Sequence, residues 1–343
     1  MRRYYQLIFI LSLLSLSHLS LANKSVAYFQ EFQPSLQSVE HVLTTYIRQL
    51  LPEYGVSRTE TLRQDALNML DTISDNCANQ RAFKRNHAFK DSIVFVLETA
   101  KQTLKVEGDE LLLVESYAHK TIEEMDLYIQ GKDHIAKQLA NCIRQLIEIQ
   151  QTFVDKYQIE FDLSDMKQRL KKTDEHIALH AYYNRYYLLF FDGNVKENYM
   201  ITAIVSQDVK KLESRNDLLL IAAKKSLQKL ASLEPFQGDP KLKKACEQII
   251  QFYLYEANEE FPSVIAYLEL AKEFGDFEAH YLAQDSESHT AEEKVSYERL
   301  KKNYEKSTAN YEITIERTNL FRTDRLMVWQ DATAEFFTRY LPR

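Results

Sequence analysis

The chain has 343 residues, of which only 6 are Gly and 6 are Pro, where average usage gives roughly 24 and 17. Sheets and long loops consume turn-formers, so this scarcity excludes β-rich and α/β designs and predicts an all-α fold. With 45% hydrophobic and 27% charged residues and a formal charge of −7, the chain is neither disordered nor wholly membrane-embedded, and it has length for two domains with separate cores.

The N-terminus reads Met1-Arg2-Arg3, then an apolar stretch from Leu7 to Ala22 that ends Ser20-Leu21-Ala22. Positive charge, a short apolar core and small residues at the end are the pattern of a secretory signal peptide cleaved after Ala22. Removing it takes away two basic residues, so 41 basic residues face 50 acidic ones and the mature charge is −9. The Lys doublets are dispersed and flanked by acids, which argues against a nucleic-acid partner. No second apolar stretch reaches transmembrane length. Cys77, Cys142 and Cys246 remain; in an oxidising compartment Cys77 and Cys142 are the candidate disulfide, and three small buried hydrophobes are the alternative.

The few Gly and Pro residues are expected to mark helix ends: Pro52 and Gly55, Gly108, Gly131, Asp192-Gly193-Asn194, Pro235 to Pro240, Pro262 and Gly275. Between them the apolar spacing is helical, as in Leu62, Ala66, Met69, Leu70, Ile73 and Cys77. Ser57 with Glu60 has the spacing of a capping box. A shift of 157 positions superimposes 66–117 on 223–274 and pairs identical residues at Ala66, Leu70, Gln80, Lys84, Ala88, Ile93, Phe95, Leu97, Ala100, Leu111 and Leu113. A shift of 169 then pairs Glu123, Tyr128 and Lys132 with Glu292, Tyr297 and Lys301, with an insertion expected in the polar stretch 276–288. The expected architecture is two tandem, duplicated, up-down four-helix bundles, 23–160 and 161–343, with a further C-terminal helix near Thr323–Tyr340.

The stretch Leu230-Ala-Ser-Leu-Glu-Pro-Phe-Gln-Gly-Asp239 and the segment Phe153-Val-Asp-Lys-Tyr-Gln-Ile-Glu160 resemble uncharacterised exported or surface helical proteins of bacteria. That resemblance implies a bacterial envelope protein and transfers no catalytic residue. Imelysin-like duplicated bundles carry Gly-x-His-x-x-Glu; here Gly131-Lys132-Asp133-His134 sets the His one place late.

His176, His180, Tyr183 and Tyr187 follow one another by four, three and four residues, so their rings share one helix face. Imidazoles one turn apart chelate Zn, Cu or Ni when a neighbouring helix adds a third ligand; the alternative is an aromatic core stripe continued by Tyr182, Tyr186, Phe190 and Phe191. There is no Gly-x-Ser-x-Gly elbow, His-Glu-x-x-His helix or Gly-rich phosphate loop. The sequence therefore reads as a non-catalytic, cofactor-free binding or scaffold protein of the periplasm or cell surface, its partner a protein or small molecule and Tyr183 and Tyr187 its candidate contacts. The alternative is a metal- or haem-handling protein using His176 and His180 with a divalent transition metal.

Overall fold

The computed structural model describes the backbone at residues 2–52, 56–285 and 288–342, and side chains at 24–52, 60–285 and 288–342. The side chains of the signal-like segment 1–22, Gly55 and Ser57 lie outside these residues. The fold is all-helical: α1 (Arg2–Leu50), α2 (Val56–Ala78), α3 (Ala88–Gln102), a π-helical turn (Thr103–Glu107), α4 (Gly108–Glu115), α5 (Ile122–Tyr157), α6 (Ser164–Val205), α7 (Val209–Ala231), α8 (Lys241–Tyr255), a second π-helical turn (Glu256–Glu260), α9 (Phe261–Leu282) and α10 (Ala291–Tyr340). Among the described residues no helix is long and apolar enough to cross a membrane.

The chain divides into two compact units, and the boundary falls inside α6, between Ala181 and Tyr182, rather than at 160. The first half of α6 belongs to the first unit because Met166, Leu170, Thr173, Ile177 and His180, spaced by three or four, are all buried there. The rest of that core comes from Phe29, Phe32, Leu36, Leu43 and Ile47 of α1, with Leu70, Ile93, Leu97, Leu139, Ile143 and Leu146. In the second unit Tyr186 and Met200 of α6 join Leu219, Ala223, Ile249, Tyr253, Val264, Trp329 and Phe336.

Several expectations about helix ends are corrected. Gly131, Gly193 and Gly275 lie inside helices. Two of them are small for packing reasons: a Cβ at 131 would stand 3.0 Å from Leu111, and one at 193 would come within 2.6 Å of the Tyr253 ring at Cε2. Residues 276–282 continue α9, so the inserted loop is shorter than expected. Thr323–Tyr340 is the last part of α10 and not a separate helix, since no Gly or Pro interrupts Ala291–Tyr340.

The two units repeat local geometry at a fixed distance. The pairs Val56 and Val209, Ala88 and Lys241, Thr103 and Glu256, and Gly108 and Phe261 open corresponding elements, each 153 residues apart. Before α3, Phe83 bridges Asn86 across Lys84 and Arg85, whose φ values are 52° and 67°; before α8, Phe236 bridges Asp239 across Gln237 and Gly238, at 49° and 81°. Each turn ends on an Asx side chain that accepts from the first amide of the next helix: Asn86 Oδ1 from the Ala88 amide at 2.9 Å, and Asp239 Oδ1 from that of Lys241 at 3.0 Å. Lys90 donates to the Ala78 carbonyl, Lys243 to that of Ala231. A π-helical turn displaces carbonyls from the usual ladder, and a donor from the preceding long helix takes one in each unit: Arg63 Nη1 to Leu104 O at 3.1 Å, Asn216 Nδ2 to Ala257 O at 2.9 Å.

The last two helices differ in length between the units. α9 has 22 residues against 8 in α4, and α10 has 50 against 36 in α5, so each is fourteen residues longer. Stacked rings zip the hairpin, Tyr267 on Tyr311 at 4.3 Å where the lengthened part begins, then Phe274 on Tyr304 at 4.7 Å and Tyr281 on Tyr297 at 4.4 Å within it.

Candidate functional site

The four rings expected on one face are divided between the units, His176 and His180 in the first and Tyr183 and Tyr187 in the second. The two imidazoles pack against each other at 4.7 Å and are buried. Burial, with Arg48 nearby, lowers His176 to about 4; burial, then His176 and Lys132, lowers His180 to about 3. Both rings are neutral at pH 7. No set of three His, Cys, Asp or Glu side chains gathers among the described residues in a way that would hold a metal ion. Tyr183 stacks on Trp329 at 6.1 Å and meets Phe337 edge-on, and Tyr187 packs with Phe190 and Phe191. These rings are half-buried parts of the second unit's packing.

The expected disulfide is also corrected, because Cys77 and Cys142 are free, buried thiols. Burial raises Cys77, which Ser35 contacts by a hydrogen bond, and burial alone pushes Cys142 up to about 11. Both stay protonated and unreactive at neutral pH.

The second unit buries charge. Arg322 reaches Glu197 at 2.5 Å and Glu256 at 2.7 Å, and Arg317 pairs with Glu260 at 2.7 Å. Burial, with Glu197 beside it, raises Glu256 well above the usual carboxylate range. These pairs tie α6 and the second π-helical turn to α10. In the first unit Arg169 clamps Glu40 of α1 with two bonds at 2.5 and 2.9 Å.

A cavity lies elsewhere, between α3 and α5 of the first unit. It encloses about 780 Å³ and opens along one side. Its floor is aromatic: Phe89 and Phe153 are 4.4 Å apart, and Phe83 meets Phe153 and Tyr157 edge-on at 5.9 and 5.1 Å. Phe95, 71% exposed, stands on its wall. The rim is polar, with Asp91 and Ser92 from α3 and Glu148, Thr152 and Lys156 from α5.

The second unit has the same place in its fold, and there it is shut. Phe236 meets Phe336 and Tyr340 edge-on at 5.4 and 4.9 Å, the arrangement of Phe83 with Phe153 and Tyr157. The space beside Phe336, lined also by Asp239, Lys241, Leu242, Ala332, Glu335 and Arg339, is about 10 Å³. Matching the edge-on rings sets Phe336 and Tyr340 against Phe153 and Tyr157, a shift of 183 along the last helix in place of the expected 169, and with the 153 shift of α3 and α8 the counterparts in the open groove are Asn86, Ala88, Phe89, Ile149, Thr152, Phe153 and Lys156. Two of the exchanges carry an ion pair across the second unit's space. Lys241 spans to Glu335 at 2.5 Å, and Arg339 reaches both Glu335 and Asp239. In the first unit Ala88 and Thr152 stand in for Lys241 and Glu335, so the stem, the ion pair and the roof are missing together.

Neither Asp91, Glu148 nor Phe95 was legible as a site residue in the sequence. The signal is the small-for-charged exchange at 88 and 152, visible only once the two units are aligned through their turns. Compared with protein-family models, curated proteins and solved structures, the chain matches none of them.

Proposed function

We propose that this is an exported, non-catalytic binding protein built by tandem duplication of a four-helix bundle, and that the groove between α3 and α5 is its binding site. The observation that carries the reading is the contrast between matched positions: an aromatic floor left open over about 780 Å³ in one unit and sealed to about 10 Å³ in the other. A volume of that size, apolar below and polar at the rim, suits a small ligand. The duplication is supported by the 153-residue spacing of element starts and by the paired Asx bonds at the turns. After a duplication one copy keeps a site and the other is free to close it for stability.

The test is a neutral, environment-sensitive apolar dye titrated into mature protein. Wild type is expected to bind one dye with enhanced emission, and Ala88→Lys with Thr152→Glu, which rebuilds the seal of the second unit, is expected to abolish it while leaving the helical circular dichroism unchanged. Equal dye binding by both proteins overturns the reading. Export is tested separately by fractionating cells and sequencing the N-terminus of the product, with Asn23 expected first.

A further inference from the structure

Resting on that reading of the groove, we infer that its ligand is a small amphiphile with a single positive charge on an apolar stem. At the matched place in the second unit the chain supplies its own cations: Lys241 and Arg339 line a small space together with Leu242, Ala332 and Phe336, and their heads pair with Glu335 and Asp239. At the first unit's matched positions one of those cations is gone, Ala88 standing for Lys241, while Lys156 still stands for Arg339. The charge balance changes with it. Among the second unit's residues at these matched positions, Asp239, Asp331 and Glu335 offset Lys241, Lys244 and Arg339. At the same places in the first unit stand Asn86, Glu148 and Thr152, and Ala88, Asp91 and Lys156. Two acids now face one base, and the set is short of neutrality by one positive charge.

Those acids are placed to receive it. Asp91 is on the α3 wall and Glu148 on the α5 wall, both exposed, and neither has an ion-pair partner among the described residues. A cationic head at the rim meets both carboxylates, and its stem lies on Phe89 and Phe153 beside Phe95. The rim thus lacks the positive charge that Lys241 supplies at the matched place in the second unit. A helical partner fits less well, because the α3 wall from Ala88 to Val96 is about 12 Å long at 1.5 Å per residue, roughly two turns, whereas short helices are marginal unless longer than about 12 residues.

The experiment is isothermal titration of mature protein with decyltrimethylammonium, decyl maltoside and decyl sulfate, each below its micelle concentration. The cation is expected to bind one to one and about tenfold more tightly than the sulfate at low ionic strength, the preference shrinking in salt. Asp91→Asn with Glu148→Gln is expected to bring the three probes within about threefold of one another, whereas Ala88→Lys with Thr152→Glu weakens all three by more than about tenfold. A sulfate that binds as tightly as the cation, with all binding still lost in the sealing variant, overturns the charge inference and leaves the groove as the site. Probes indifferent to the sealing variant overturn the site itself. A groove that ignores all three amphiphiles yet takes a lysine-bearing apolar helix overturns the inference in favour of a protein partner.

Discussion

Replacing Gly by Ala at two helical positions separates packing from backbone effects. In the exposed middle of a helix, Ala is better than Gly by about 0.8–1 kcal/mol. Gly275 of α9 is such a place: it is exposed, and an added Cβ meets nothing within 4 Å. Gly193 of α6 offers the same backbone gain, but its Cβ would sit 2.6 Å from Tyr253 Cε2 and closer still to Cδ2. An ordinary contact needs the ring to retreat by about 1 Å, and Tyr253 is fully enclosed, with Glu197, Glu256 and Arg322 nearby. Forced overpacking in a filled core costs about 1–3 kcal/mol, with sub-contact distances at the upper end. Gly275→Ala is therefore expected to stabilise by up to about 1 kcal/mol and Gly193→Ala to destabilise by about 2 kcal/mol. Urea unfolding followed by circular dichroism measures both. Adding Tyr253→Leu to Gly193→Ala should recover part of the loss, measured as a coupling in the double-mutant cycle. Gly193→Ala at wild-type stability or above would refute the reasoning.

Three further outcomes are expected. Gly238 has a φ of 81° with open space around its Cβ position, so Gly238→Ala should cost about 1 kcal/mol in urea unfolding through backbone strain alone. His176 and His180 are held neutral, so the unfolded chain binds more protons below its ordinary value near 6.5; stability should fall as pH drops from about 6.5 toward 4, by about 2 kcal/mol for each ring at pH 5, and His176→Gln with His180→Gln should flatten that dependence. Glu256 carries the opposite sign, holding its proton in the folded state above its usual range; stability should decline as pH rises above about 4.5, and Glu256→Gln should remove this decline, whereas Arg322→Met, which strands the buried Glu197 carboxylate beside the Glu256 carboxyl, should cost about 3–5 kcal/mol at pH 7.

How much of this was readable in the residues differs by feature. The helical class followed from Gly and Pro scarcity, because a chain with so few turn-formers can hardly build anything else. The role of individual glycines did not: Gly131, Gly193 and Gly275 read as stops but sit inside helices, since only the neighbour across the core distinguishes a Gly that ends a helix from one that admits a ring. The repeat expected from the sequence uses a shift of 157, one turn away from the 153 that separates the element starts of the two units. A four-residue slip turns a helix by only about 40° off phase, so apolar identities along helices survive it. Turns do not tolerate such a slip, and Phe83 with Asn86 against Phe236 with Asp239 fixes the register. The groove was invisible for the same reason, as Ala88 and Thr152 become informative only opposite Lys241 and Glu335.

The matched lengthening of α9 and α10 also bears on how this chain can vary. Fourteen residues make close to four complete turns, about 21 Å, and both arms of the hairpin carry the same addition. An unequal change would rotate one arm's rings by about 100° per residue relative to the other's and break the stacks of Tyr267, Phe274 and Tyr281. A change in the hairpin's length therefore has to be paired between the arms and close to whole turns if the ring stacks are to persist.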